Sequence, residues 1–351
     1  MRIQAANLER IVERIFGAAG CQPSEASSVA RHFVDSNLCG HDSHGVIRVS
    51  PYLEFISAGK VRPGQSMTVV FESDTVAVVD GNLGFGQVIC EQAMDLLAAK
   101  AEKSGLAMTA IRNSGHVGRV GAWAERLAER GLVSLHFVNS TGYGMFAVPF
   151  GGSDRRLSLN PLSICFPVEG RHPVLLDMTT SVLAQGKLAV ARSRGDAVPP
   201  GAIVDKAGNP TTDPNDFYAG GALLPMGGHK GYALNVVVDL LAGALSGGGC
   251  TKPGETELVN TMTSIAVDPA PFTDRAAYFA EIERYLTWVT GSPPKAPGGR
   301  VLLPGDIEAE TRVERRRDGI PIDETTWGKV VDSALSVGVT RDEIERLAGD
   351  A

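Results

Sequence analysis

Between Thr68 and Val138 the chain alternates β-branched runs with longer amphipathic stretches, and no other feature limits the fold so tightly. Val69, Val70, Val76, Val78 and Val79 predict two strands separated by Ser73-Asp74. After a turn built on Gly81, Gly84 and Gly86, a helix is expected over residues 87–103, ended by Gly105 in the left-handed cap that glycine adopts without strain. Residues 106–111 read as a strand, 118–129 as a helix ended by Gly131, and 132–138 as another strand. Strands and helices in alternation imply an α/β domain.

Helical segments flank this region. Val12, Ile15 and Phe16 recur at helical spacing, residues 24–38 read as a helix starting from the Pro23-Ser24 pair, and Ser50-Pro51 reads as a cap with proline at the first helical position, closed by Gly59. Further on, residues 174–176 suggest a buried strand, 181–193 a helix, 199–214 a loop, 230–245 an apolar helix, 263–267 a strand and 274–290 a helix. A Pro/Gly-rich linker at 291–299 precedes a dense charged run, 311–318, expected to be a solvated helix face, and a helical tail at 325–347. The expected organisation is an α/β domain over 71–269, with a helical segment 1–70 packing on a helical segment 270–351.

At 351 residues the chain has room for about two domains and can bury a core without disulfide or metal staples. Its net charge of −7, with no basic stripe, disfavours nucleic acid as a partner. Five scattered cysteines, an odd number with no close pair, fit a reducing compartment. The most apolar stretch, 232–245, contains Asn235 and Asp239 and is too short to span a bilayer, and the amino terminus has no apolar core of signal type. A cytoplasmic protein without membrane contact is expected.

One segment imitates a dinucleotide fingerprint: Gly142, Gly144 and Ala147 follow the strand expected at 132–138. That motif works by opening a helix whose first N–H groups face a pyrophosphate, and here Pro149, Gly151 and Gly152 forbid the helix. No acidic residue follows at the required offset of about 20 residues, so a Rossmann site is rejected.

Two histidine clusters sit in polar, glycine-flanked surroundings. In Gly40-His41-Asp42-Ser43-His44-Gly45, followed by Arg48 and Tyr52, a metal reading lacks further local ligands. A satisfied polar loop remains one reading; the other is a site where Arg48 offers a forked donor to a carboxylate and a histidine meets substrate or cofactor. In Asn113-Ser114-Gly115-His116-Val117-Gly118, the histidine lies between a strand and a helix, where an open α/β sheet places reactive groups. An imidazole there can take a proton from an alcohol and return it to a carbonyl, or it can simply cap the helix. Pro225-Met226-Gly227-Gly228-His229-Lys230-Gly231 opens an apolar helix and reads as an anion site or as a turn with a solvated lysine. Leu175-Leu176-Asp177-Met178-Thr179-Thr180-Ser181 runs from a strand into three hydroxyls suited to capping.

Together with Asn160-Pro161 and the 210–214 segment Pro-Thr-Thr-Asp-Pro, these motifs occur in the order and spacing of the type-2 malate/L-lactate dehydrogenase family, which the chain resembles over nearly its whole length. The resemblance implies a family-specific, non-Rossmann nicotinamide-binding α/β fold, usually in a homodimer. It implies hydride transfer between NAD, or NADP, and C2 of a small 2-hydroxy or 2-oxo acid. Position by position, His116 resembles the general acid/base, His44 the residue beside the nicotinamide, and Ser43 and Arg48 the residues nearest the substrate. Gly118, Arg119 and Val120, Leu175 to Thr179, His229, and Gly305, Asp306, Ile307 and Glu308 match segments that hold the cofactor in relatives. Ser140 and Lys230 match contacts of some members, as does Asn260. No metal is implied. Two other functions fit the same motifs: reduction of a cyclic imino acid such as piperideine- or pyrroline-2-carboxylate, and a catalytically silent dinucleotide-binding protein. The retained His44 and His116 weigh against the silent protein.

Overall fold

The alternation of residues 68–138 becomes one half of a seven-stranded mixed sheet in the computed structural model, which describes residues 1–349 except 143 and 256. With elements numbered in chain order, its strands are β2 (Thr68–Glu72), β3 (Val76–Asp80), β4 (Leu106–Ser114), β5 (Val133–Ser140), β6 (Pro161–Phe166), β7 (Val174–Thr179) and β11 (Asn260–Val267). They lie in the order β2-β3-β4-β11-β5-β6-β7. Only β3 and β4 run parallel; every other described pair in this sheet is antiparallel. A late strand inserted between β4 and β5 distinguishes this sheet from a doubly wound one. No helix follows β5 where the imitation fingerprint lies: Gly142 and Gly144 take positive φ and Ala147 makes a β-bridge to Leu157. Tyr143, within that motif, lies outside the described residues.

Helices α4 (Gly86–Ser104) and α5 (Val120–Ala128) cover one face of the sheet, burying Ile89, Met94 and Leu97 with Trp123, Leu127 and Met262. On the opposite face Thr263, next to Met262, bonds the Leu241 carbonyl in the π-helical extension of α8 (His229–Asp239). A second core joins α1 (Ala5–Ala18), α2 (Pro23–Leu38) and α3 (Val49–Ser57) to α11 (Glu324–Ser336) and α12 (Arg341–Gly349). There β1 (Arg2–Ile3) pairs with β12 (Ile320–Pro321), tying the two ends of the chain together. A small sheet of β8 (Ile203–Val204), β9 (Pro210–Thr211) and β10 (Ala222–Leu223) packs beside α6 (Gln185–Arg194) and α7 (Pro214–Tyr218). Helix α9 (Arg275–Thr290) follows β11, with Asp274 accepting from the N–H groups of Ala276 and Ala277, and α10 (Asp306–Asp318) precedes β12. Among the described residues no helix is long and apolar enough to cross a membrane.

Several local expectations change: the helix expected at 181–193 begins only at Gln185, so Thr179, Thr180 and Ser181 do not cap it, and the tail at 325–347 divides into α11 and α12. Helix α3 starts at Val49, one residue before the expected cap, because a 3-10 turn over Val46–Arg48 feeds it directly. Residues 199–214 contain β8 and β9 rather than loop alone. The charged run at 311–318 is not simply a solvated face. Arg312 pairs with Asp35 and Glu125, and Arg315 lies 2.6 Å from Asp42.

Candidate active site

Strand β4 extends three residues beyond the expected Ile111, so the turn carrying His116 starts at the carboxyl end of an interior strand. The register sets Asn260, the first residue of β11, opposite both Ser114 of β4 and Ser140 of β5. Asn260 is buried and spends its amide inside the protein: Oδ1 accepts from the Val117 N–H at 3.0 Å, and Nδ2 donates to the Asn139 carbonyl at 2.9 Å. It therefore staples the His116 turn to the neighbouring strand.

The turn is also held from the helical side. Gly118 has φ +76, and a Cβ there would lie 2.0 Å from His32 Nε2. His32, stacked on Trp123 with centroids 5.0 Å apart, accepts the Arg119 N–H at 2.8 Å. At Gly86 a Cβ would come 2.2 Å from the His116 carbonyl oxygen, so α4 begins directly against that peptide. Glycine at 86 and 118 is thus a steric requirement of the turn.

These restraints bring His116 against His44. The two rings stack with centroids 5.7 Å apart and an interplanar angle of 14°. His44 Nδ1 lies 3.1 Å from Ser43 Oγ, and Arg48 Nε donates to the Ser43 carbonyl at 2.6 Å. His116 Nδ1 lies 2.9 Å from the Tyr52 hydroxyl. The Nε2 atoms of both histidines have no hydrogen-bond partner among the described residues, and both residues are partly exposed. Burial is the main reason that His116 is held down to about pKa 3, with the Arg48 charge acting in the same direction. His44 lies well below its ordinary value for the same reason, reinforced by His116 and then Arg48. At neutral pH both rings are uncharged.

The remaining candidates form a second group. Asp177 accepts the Gly121 N–H at 3.0 Å, and Leu175 N–H donates to the Pro304 carbonyl at 3.0 Å. The start of α5, strand β7 and the Gly305 start of α10 are thereby drawn together. Burial raises the Asp177 pKa. Arg119, 2% exposed, forms ion pairs with Asp35 and Glu125, so its segment has backbone rather than guanidinium to offer a ligand. Asp35, Cys39 and Glu125 converge closely enough to suggest a metal trio, yet Arg119 and Arg312 already neutralise the two carboxylates. Glu308 lies 3.3 Å from His41, and Asp306 accepts from Leu303 N–H and Arg171, while Ile307 is exposed.

A third group surrounds the 225–231 turn. Met226 N–H bonds the Thr180 carbonyl, and Asn235 joins Thr180 Oγ1, the Ser158 carbonyl and Asn160 in one buried network. Gly227, at φ +57, lines an apolar recess of 380 Å³ together with Val148, Phe150, Val182 and Leu224; His229 sits edge-on to Phe150 at 5.8 Å. Met178 lies in β7, Val120 is the first residue of α5 and Lys230 the second of α8. Among the described residues no hydrogen bond or ring contact joins His229 to His44 or His116.

Sequence reasoning missed Gln87, His32 and Asn235. Each lies inside a helix pattern whose spacing already explains it, and only a buried polar side chain amid apolar neighbours marks it out.

One neutral imidazole on the turn that follows β4 thus stacks on another from the 3-10 turn after α2, with the Arg48 guanidinium close by. Residues 3–331 match the malate/L-lactate dehydrogenase family, and the chain belongs to it; it is an oxidoreductase of the 2-hydroxyacid dehydrogenase kind. Hydroxycarboxylate dehydrogenase B of Escherichia coli K12 is 38% identical over 98% of this chain and 96% of its own. The structure of a putative malate/lactate dehydrogenase from E. coli superposes with a TM-score of 0.94 at 38% identity, covering 99% of this chain and 98% of that one. A delta1-piperideine-2-carboxylate reductase from Pseudomonas syringae pvar. tomato superposes at 0.84 with 30% identity, over 95% and 100% of the two chains.

Proposed function

We propose that this protein transfers hydride between a nicotinamide dinucleotide, NAD or NADP, and C2 of a small 2-hydroxy or 2-oxo carboxylic acid of malate or lactate type. The observation that carries the reading is the His116 ring, anchored through Nδ1 and with Nε2 unpartnered, stacked on His44 within the field of Arg48.

The chain's residues fit such a cofactor. The backbone at Gly227 lies bare beside an apolar recess, and the segments at Gly118–Val120, Leu175–Thr179 and Gly305–Glu308 form one connected wall that would hold the dinucleotide, with His44 towards its reactive end. His229, Lys230 and Ser140, which match cofactor contacts of relatives, would add further contacts to the dinucleotide. When bound, the nicotinamide donates or accepts the hydride at C4.

Arg48 holds the substrate carboxylate, with Ser43 beside it, so that C2 is fixed relative to His116. His116 Nε2 takes the hydroxyl proton in oxidation and gives one to the carbonyl oxygen in reduction. The carboxylate also tunes this step: Arg48 lowers the His116 pKa, and an anion paired with Arg48 relieves that effect. His116 then accepts a proton most readily when substrate is present.

A second reading has a specific observation behind it, the likeness to the piperideine-2-carboxylate reductase. A C=N bond beside a carboxylate presents the same anchor and the same need for a proton donor. Side-by-side assays of NADH and NADPH oxidation with pyruvate, oxaloacetate, phenylpyruvate and piperideine-2-carboxylate decide between them. Turnover of the oxo acids supports the leading reading, and turnover of the imino acid alone replaces it. Dinucleotide binding without any turnover defeats both in favour of a silent binding protein. We further propose a cytoplasmic homodimer; the exposed Val237, Leu240 and Leu245 offer apolar surface for such a contact, and sedimentation of the purified protein tests it.

A further inference from the structure

We infer that Tyr52, steadied by Gln87, is the positioning residue that fixes His116 as the tautomer protonated on Nδ1, leaving the lone pair on the unpartnered Nε2 free to accept a proton. Three contacts meet at one phenol, and a fourth ties two of its partners together. Tyr52 Oη lies 2.9 Å from His116 Nδ1, 3.0 Å from the His116 carbonyl oxygen and 2.9 Å from Gln87 Nε2. Gln87 Nε2 is itself 3.3 Å from the same carbonyl. Tyr52 and Gln87 are 2% and 0% exposed, so water does not share these contacts.

A phenol has one proton to donate and two lone pairs to accept with. The carbonyl oxygen can only accept, so the proton in the 3.0 Å contact must come from Tyr52. With its proton committed there, the hydroxyl can only accept from the histidine, and Nδ1 carries the hydrogen. The opposite tautomer would point the phenol proton at Nδ1 and press two lone-paired oxygens together with nothing between them. Turning the Gln87 amide over does not change the result. Its oxygen would then take the phenol proton, and Nδ1 must again be the donor. Gln87 Oε1 is buried without a partner, so the amide sits in this position although one of its atoms is left unsatisfied. The surroundings keep the phenol in place: Tyr52 packs edge-on against Phe33 at 4.9 Å, and its backbone belongs to α3, anchored in the helical core.

The consequence rests on the function proposed above. A base that must accept an alcohol proton needs a free lone pair on the nitrogen facing the substrate, and this network supplies it before substrate arrives. Tyr52 therefore acts through His116 and need not touch the acid itself.

The test is Tyr52→Phe, nearly isosteric and so expected to fold, read in two ways. Nitrogen-15 NMR of histidine-labelled protein, with the His116 signals assigned by their loss in His116→Gln, should show His116 wholly Nδ1-protonated in the unliganded wild type and a mixture of tautomers in Tyr52→Phe. Alcohol oxidation should fall about 10- to 100-fold in kcat, a fraction of what acid–base catalysis supplies, with little change in the KM of the acid. Gln87→Met should shift the tautomer ratio in the same direction by less. A His116 that is Nε2-protonated in the wild type, or unaltered in Tyr52→Phe, overturns the inference. The NMR reading uses resting protein without substrate, so it stands or falls separately from turnover on any acid. If Tyr52→Phe melts far below the wild type, the wild-type spectrum alone still decides the tautomer.

Discussion

His116 and His136 are both pushed down to about pKa 3 by burial, yet their surroundings differ in one respect. His136, in the interior of β5, uses both ring nitrogens: Nδ1 lies 2.8 Å from Ser264 Oγ and Nε2 lies 3.0 Å from Ser134 Oγ. His116 uses Nδ1 and leaves Nε2 unmatched among the described residues. Depressed basicity therefore does not separate the two. What separates them is an unspent hydrogen-bonding valence at the end of the sheet, which His116 has and His136 lacks.

The largest effect should come from exchanging that valence for nothing. His116→Ala is expected to lower turnover by about two to four orders of magnitude while dinucleotide binding, followed by NADH fluorescence, stays close to wild type. His136→Ala should do the reverse, costing about 2–4 kcal/mol of unfolding free energy through a cavity and two stranded hydroxyls, with folded protein that keeps its kcat. A His136→Ala enzyme that folds yet loses as much activity as His116→Ala would break the comparison.

Next comes the frame that aims the turn. Gly118→Ala puts a methyl 2.0 Å from His32 Nε2 at φ +76. The backbone strain alone should cost about 1–3 kcal/mol, visible as a lowered Tm, and His116 should lose its alignment at the same time. The carboxylate anchor is a smaller lever. Arg48→Lys keeps the charge and loses the fork, so KM for the acid should rise about tenfold with a lesser effect on kcat. A drop in kcat alone would take Arg48 out of the binding role.

Much of this contrast could be read in the sequence, because the glycines beside His116 and the polar residues around His44 have no packing explanation, whereas His136 sits in an apolar strand. The expected strand pair at Val69–Val79 and the helix ended by Gly105 follow from short-range periodicity, and the structure keeps both. Long-range pairing is what the sequence hides. Arg312 and Arg315 read as solvent-facing because nothing local opposes their charge; their acids, Asp35 and Asp42, lie more than 270 residues earlier. Gln87 was invisible for a related reason. The residue that makes it useful, Tyr52, belongs to a different helix, and the buried network exists only once α3 packs on α4. The insertion of β11 between β4 and β5 is likewise a fact of topology that no stretch of residues announces.

The smallest effect concerns stability, where the two histidines should behave alike. Each has a folded pKa near 3 against an ordinary value of 6.5, so as pH falls the unfolded chain takes up the proton first. The stability each neutral ring contributes is complete above about pH 6.5 and declines from there towards pH 3, at up to about 1.4 kcal/mol per pH unit for each histidine. His136→Gln and His116→Gln should each flatten the fall of unfolding free energy between pH 6 and 4 by a similar amount, measured by urea titration at each pH. The activity profile should not share that symmetry. His136→Gln should leave the pH dependence of turnover where it was, because a ring with both nitrogens bonded inside the sheet exchanges no proton with a substrate. Substitution at 116 should remove the limb that reports on the base. If flattening occurred at 116 but not at 136, the deep burial assigned to His136 would be wrong; if the activity profile moved with 136, the unspent nitrogen would no longer distinguish a site from a core.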